Sequence, residues 1–149
     1  MTTEPPLPEN YTLLDGHPSV PEYLNLRAVS GLTPKTPAQG TAAVSNSWYG
    51  CYITHTDPET QNVTAVAMGR IISDGGWYFH IADMAVLPEH QRKGLGGVVL
   101  KKLLAYIKAN APDGEPYINL LADAPGRGLY FKNGFVDAAP TSVGMVYRG

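Results

Sequence analysis

The run Gln91-Arg92-Lys93-Gly94-Leu95-Gly96-Gly97 sets two cations and three glycines at the mouth of an amphipathic helix. A turn of this kind gathers backbone N–H groups at a helix start, where the helix dipole favours a phosphate. Glycines let the backbone approach such a group without a Cβ in the way. Arg92 and Lys93 can add charge-assisted bonds. Three phosphate-loop patterns compete for the spacing. A Walker A loop, G-x-x-x-x-G-K-[ST], fails because no Lys-Ser or Lys-Thr pair follows these glycines. A dinucleotide fingerprint, G-x-G-x-x-G, fails because Val99 stands where its third glycine belongs. The pattern Q/R-x-x-G-x-G/A is met in full by Gln91 to Gly96.

The elements that must position this turn follow from period and punctuation. Tyr11 to Asp15 reads as a short strand after a loose tail over 1–9. Ser19-Val20-Pro21-Glu22 and Thr36-Pro37-Ala38-Gln39 are capping-box patterns opening two helices, the first stopping near Gly31 and the second fading by Ser47. Trp48 to Thr54 and Val63 to Ser73 are predicted strands, and Asp74-Gly75-Gly76 is a hairpin signal leading to a long strand, Trp77 to Leu87. From Leu95, apolar residues recur at Val98, Val99, Leu103, Tyr106 and Ile107, with Lys101, Lys102 and Lys108 outside; Pro112 and Gly114 end this helix. Tyr117 to Ala122 is predicted as a strand entering by a crossover, hence parallel to 77–87. Gly126 to Asn133 reads as a short helix, and Ser142 to Arg148 as a final strand.

Length and composition narrow the field. A chain of 149 residues, 44% hydrophobic and 16% charged, predicts one globular domain, 1–149. A net charge of −2 favours neither nucleic acid nor an anionic membrane as partner. Cys51 is the lone cysteine, which fits a reducing, cytoplasmic setting. The four histidines, His17, His55, His80 and His90, show no metal-ligand spacing, so no metal is expected. The proline-rich start is unlike a signal peptide, and no apolar run reaches membrane-spanning length.

Two further segments frame the basic turn. Asp83-Met84-Ala85-Val86-Leu87-Pro88 precedes it, and Leu129-Tyr130-Phe131-Lys132-Asn133-Gly134-Phe135 follows some thirty residues later. Together with Gln91 to Gly96 they resemble the GNAT superfamily of N-acetyltransferases: its D-L-A-V-x-P strand, its acetyl-CoA pyrophosphate loop and its L-Y-x-K-x-G-F segment. The resemblance covers roughly 63–136; the first half is similar by order of elements only. It implies an α+β fold, a mixed, mostly antiparallel twisted sheet flanked by helices, with splayed parallel central strands.

The same resemblance implies a site. Acetyl-CoA is the co-substrate; its arm would pair with Met84, Ala85 and Val86, and its pyrophosphate would lie on the N–H groups of 92–97. Tyr130 occupies the position of the family's catalytic tyrosine and would protonate the leaving thiolate. His80 stands where the family often has a base, and imidazole titrates near pH 6.5. Asp83 or a water is the alternative base, and Asp83 equally suits a structural role or acceptor binding. Strict alternation puts His80 on the face of Met84 and Val86, with Asp83 opposite; a bulge would change that. Asp123 replaces an asparagine common in the family seven residues before the tyrosine, so it can accept but not donate as an amide does. Lys132 and Arg127 could reach the phosphates.

An acceptor amine is mostly ammonium at pH 7, so a base is useful. Asp15, Glu22 and Asp83 could attract it. Tyr23, Trp48, Tyr49, Tyr52 and Trp77 form either an aromatic wall or packing. The resemblance favours a small-molecule amine acceptor, with the segment 16–47 setting specificity, and allows a homodimer through the final strand. An acetyl-CoA-binding regulatory or sensor domain without turnover is the alternative.

Overall fold

Apolar, β-branched runs make strands, and the most buried of them sits in the middle of the sheet. In the computed structural model, which describes residues 7–149, that strand is β3 (Val63–Ile72), with Ala65, Val66, Ala67, Met68 and Ile71 buried. It lies between β2 (Tyr49–Thr56) and β4 (Tyr78–Val86), antiparallel to both. β1 (Tyr11–Asp15) adds antiparallel to β2, and β5 (Tyr117–Asn119) adds parallel to β4. Strand order is therefore β1-β2-β3-β4-β5.

Helix α3 (Leu95–Asn110) lays Leu95, Val98, Val99, Leu100, Leu103 and Ile107 on one face of the sheet. The approach is close: a Cβ on Gly69 would meet Val99 and Leu103 at 2.8 and 2.9 Å. The other face carries α1 (Val20–Val29) and, packed against it, α2 (Pro37–Asn46). Both begin as their capping patterns predict. Ser19 Oγ accepts from the Glu22 N–H, and Thr36 and Gln39 form a reciprocal capping box at 3.2 and 3.0 Å. The Glu22 carboxylate also accepts the Ala65 N–H at 2.9 Å, tying α1 to β3. After β5, a 3-10 turn at Ala124–Gly126 leads into α4 (Arg127–Lys132). No helix is long and apolar enough to cross a membrane among the described residues.

Three local expectations are corrected. Leu7 packs against the core and the Pro8 carbonyl accepts the Tyr11 N–H, so 7–9 folds back instead of trailing; 1–6 lie outside the described residues. β5 is three residues, not the six of Tyr117 to Ala122. Ser142 to Arg148 forms no strand: Val143, Met145, Val146 and Tyr147 are exposed. The second failure follows from the first. A partner strand that stops at Asn119 offers little ladder for another strand to extend.

β4 is irregular where the chemistry is expected. Met68 pairs with Ala85 and Arg70 with Ala82, so Asp83 and Met84 together oppose Gly69. This is a β-bulge. Asp83 takes φ 57°, a left-handed conformation that costs a non-glycine residue about 1 kcal/mol or more. The extra residue reverses the alternation beyond it. Val86, opposite Ala67, joins Ile81 and Phe79 on the α3 face, while His80 and Ala85 share the face of Arg70 and Met68. Met84 turns toward α3, its sulfur near Gly69, and Asp83 turns toward α1. The strict-alternation assignment is thereby overturned: His80 and Asp83 share the α1 side.

Candidate active site

Pairing between β4 and β5 runs from Tyr78–Tyr117 to His80–Asn119 and stops. β4 continues to Val86, so a gap opens beyond His80 along the side of β4 that faced β5. His80 sits at the closed end of that gap. Its Nδ1 is 2.7 Å from Asn119 Oδ1, and Asn119 Nδ2 donates to the Tyr78 hydroxyl at 2.6 Å. With Oδ1 accepting, Nδ1 is the donor, and in the neutral tautomer that this bond selects the lone pair lies on Nε2.

The basic turn lies at the far end of β4. Gln91 Nε2 donates to the Val86 carbonyl at 3.1 Å, folding the turn back on the strand. Arg92 (φ 63°) and Gly94 (φ 80°) are both left-handed, and Gly94 caps α3. The first intrahelical donor is Val98, to the Gly94 carbonyl at 3.2 Å. The N–H groups of Leu95, Gly96 and Gly97 thus lead the helix without intrahelical partners. A Cβ on Gly94 would meet nothing within 4 Å, and one on Gly96 would press Leu129 at 3.3 Å. The open approach and the N–H cluster fit a pyrophosphate. Arg92 and Lys93 are exposed beside it; the Leu95 side chain is buried in the core, so only its backbone is available.

Tyr130 projects from α4 and packs edge-on against Phe135, ring centroids 5.9 Å apart. It lines a cavity of about 800 Å³ together with Asn119, Leu121 and residues 135–139. Tyr130 and the partner of His80 therefore face one space. Burial pushes the Tyr130 hydroxyl above its ordinary value, and the Asp123 charge adds to the effect, so the phenol stays protonated at neutral pH. Asp123 itself is exposed, its carbonyl accepting the Gly126 N–H at 3.0 Å. Lys132 is exposed on the last turn of α4, and Arg127 lines the cavity.

Asp83 stands apart from these groups. It accepts from the Tyr23 hydroxyl, pairs with Arg27 Nη1, and pairs with Arg70 Nε at 2.6 Å. Burial raises its carboxyl, but the Tyr23 and Arg70 hydrogen bonds and the two guanidinium charges outweigh that and hold it below the usual carboxylate range. A carboxylate held this way is a poor proton acceptor, which leaves it the structural role. The other carboxylates named for an amine are also engaged: Asp15 by the Tyr49 hydroxyl, Glu22 by Ser19 and Ala65. The aromatic residues do not form one wall. Tyr23 is buried against Asp83, Trp48 packs on Phe79 and Tyr106, and Tyr49 stacks on Tyr106 at 3.7 Å. Burial pushes the Cys51 thiol up to about 12, so it is no nucleophile.

Asn119, Arg27 and Arg70 have roles that the sequence reading missed. Arg27 had a usable signal: it lies four residues after Tyr23 on the inward stripe of α1, an unusual place for a cation.

A family model described as acetyltransferase (GNAT) family matches residues 23–135. Among solved structures, a protein of unknown function from meticillin-resistant Staphylococcus aureus, described as a probable acetyltransferase, is 30% identical with TM-score 0.83, covering 93% of this chain and 99% of that one. A GNAT-family acetyltransferase from Streptococcus pneumoniae, at 22% identity and TM-score 0.73 over 93% and 98% of the two chains, shares the fold. So does glucosamine-6-phosphate N-acetyltransferase from Arabidopsis thaliana, at 16% identity and TM-score 0.67 over 94% and 99%. No curated protein sequence matches.

Proposed function

The chain belongs to the acetyltransferase (GNAT) family and is an acyltransferase; from that premise we propose that it acts as one domain, in the cytoplasm, moving the acetyl group of acetyl-CoA to the primary amine of a small molecule. The observation that carries the reading is the Gln91–Gly97 turn, whose orphan N–H groups open α3 beside the free edge of β4. Acetyl-CoA supplies an activated thioester when bound. The N–H groups of 92–97, with Arg92 and Lys93, hold its pyrophosphate, and the open backbone of Met84, Ala85 and Val86 takes the arm.

The amine nitrogen bonds to the acetyl carbon and the carbon–sulfur bond breaks. His80 Nε2, directly or through one water, takes the proton that the ammonium must lose. Tyr130 gives a proton to the departing sulfur, and the second proton that the nitrogen sheds as the amide forms restores the Tyr130 hydroxyl. The raised Tyr130 hydroxyl supports the second role, since it remains an acid across the working range. The Nδ1 bond to Asn119 supports the first, since it fixes which nitrogen is basic. Asp123 tunes Tyr130 through its charge, and Lys132 and Arg127 are further cations offered to the phosphates.

The test is thiol release from acetyl-CoA across an amine panel, with acetyl-CoA binding followed by calorimetry. Turnover of at least one amine is expected. Binding without turnover of any amine would favour a sensor domain, and absence of binding at high micromolar ligand would overturn both.

A further inference from the structure

The hub around Asp83 has the wrong charge balance for a purely structural cluster. Two guanidiniums share one carboxylate. The remaining bonds go to neutral groups: Arg27 Nη2 to the Thr33 carbonyl at 2.8 Å and its hydroxyl at 3.2 Å, and Arg70 Nη1 to Ser47 Oγ at 3.3 Å. His17 adds no anion; burial and the Arg70 charge both lower its imidazole, keeping it neutral. Side-chain exposure is only 11% for Arg27 and 15% for Arg70. Buried charges are ordinarily balanced, because an unpaired one forfeits its hydration. A second observation points the same way: Arg27 Nε is buried with no acceptor.

The surplus lies where an acceptor would lie. Arg70 is opposite Ala82, two residues along β4 from His80 and on the same face, a strand distance of about 7 Å. Arg70 Nε and Nη1 are engaged, and Nη2 has no partner among the described residues. Ser47 ends α2 and Thr33 lies in the α1–α2 connection, so the hub also fixes the two segments that roof this face.

Building on the acetyl-transfer reading, we propose that the acceptor is a small amine carrying an oxyanion, carboxylate or phosphate, a few bonds from its nitrogen, and that Arg70, backed by Arg27, binds that oxyanion. The ligand's negative charge restores the balance that Asp83 alone leaves incomplete. The amine then reaches toward His80 while the oxyanion stays on the guanidinium. An acidic pocket attracting the ammonium is replaced by a basic pocket attracting the other end.

Matched pairs test this: glycine against glycinamide, phosphoethanolamine against ethanolamine, and an amino sugar phosphate against its parent sugar. The anionic member of at least one pair should have a kcat/KM about tenfold or more higher, as loss of a charge-assisted bond implies. The pair that responds tells carboxylate from phosphate. Arg70→Gln should shrink the ratio toward unity, and Arg70→Lys should restore part of it. The second readout needs neither turnover nor a variant. In CoA-saturated, nitrogen-15-labelled protein, the Arg27 and Arg70 Nε–H signals should move with the anionic members and stay still with the neutral ones. Neutral members turned over equally well would overturn the proposal, as would Arg27 and Arg70 signals unmoved by every anionic member up to about 10 mM. Absence of turnover with selective movement of those signals would instead overturn acetyl transfer and leave the anion site standing.

Discussion

Asp83→Asn isolates the hub with the smallest change of shape. The variant keeps the side-chain volume and removes the one negative charge facing Arg27 and Arg70. Breaking a buried ion pair by removing one partner costs about 3–5 kcal/mol, because the other charge stays buried. Two guanidiniums are stranded here, so the upper half of that range is expected. A chain of 149 residues has an unfolding entropy near 0.3 kcal/mol/K, which converts the loss to a fall in Tm of roughly 13–16 °C. The sign with pH follows from the lowered Asp83 carboxyl. Its stabilising contribution is complete above the ordinary aspartate value of 3.8 and is lost as pH falls through the lower folded-state value. Thermal melts from pH 7 downward should therefore show the wild-type and Asp83→Asn curves converging only in strong acid. Urea unfolding at pH 7 supplies the free energy directly. A loss below about 1 kcal/mol, or a gap that stays constant to the lowest pH, would refute the charge-hub reasoning.

Tyr130→Phe should lower kcat by about 10²-fold while the KM for acetyl-CoA stays within about twofold; the alkaline limb of the wild-type pH–rate profile should lie above pH 10, because the folded-state hydroxyl is raised from its ordinary value of 10.0. Gly94→Ala places a Cβ on a φ of 80°, which strains the turn by about 1–2 kcal/mol, so Tm should fall by about 3–6 °C and acetyl-CoA affinity by calorimetry should fall about tenfold. His80→Ala should cut kcat/KM about 10²-fold, and Asn119→Ala, which removes only the acceptor for Nδ1, should cut it about tenfold; an Asn119→Ala enzyme as active as wild type would deny Asn119 a positioning role.

What was legible in the chain was local. Thr36 and Gln39 announce a helix start because both halves of the capping box lie within one turn. Gly94 announces the start of α3 for the same reason, a left-handed residue directly before it, and β1 matches its predicted bounds because Asp15 and Gly16 end it sharply. The hub was not legible: Asp83 is 60 residues from Tyr23, 56 from Arg27 and 13 from Arg70. No spacing rule links such partners, and Asp83 taken alone resembles an acceptor for an ammonium. The last strand failed for a related reason. Ser142 to Arg148 has a strand's composition, but a strand needs an edge to join; β5 is only three residues long and leaves β4 before the bulge bends it.

That bend explains why one backbone irregularity governs the whole site. Without the extra residue in β4, Asp83 and Met84 would still point to opposite faces, but His80 and Asp83 would be separated by the sheet. With it, both lie on the α1 side, while Val86 turns to α3 and the Gln91–Gly97 turn. The bulge also lets β4 part from β5 just after His80, exposing the backbone that an extended ligand arm can pair with. The left-handed Asp83 would be poorly tolerated unless something held it, and three side chains do: Tyr23, Arg27 and Arg70. Stability and binding are then coupled at one carboxylate. The guanidiniums that hold the bulge in place are the same groups that present surplus positive charge to the acceptor side, so an oxyanion arriving there should rigidify β4 as it binds, lowering backbone hydrogen exchange at Ala82 to Ala85.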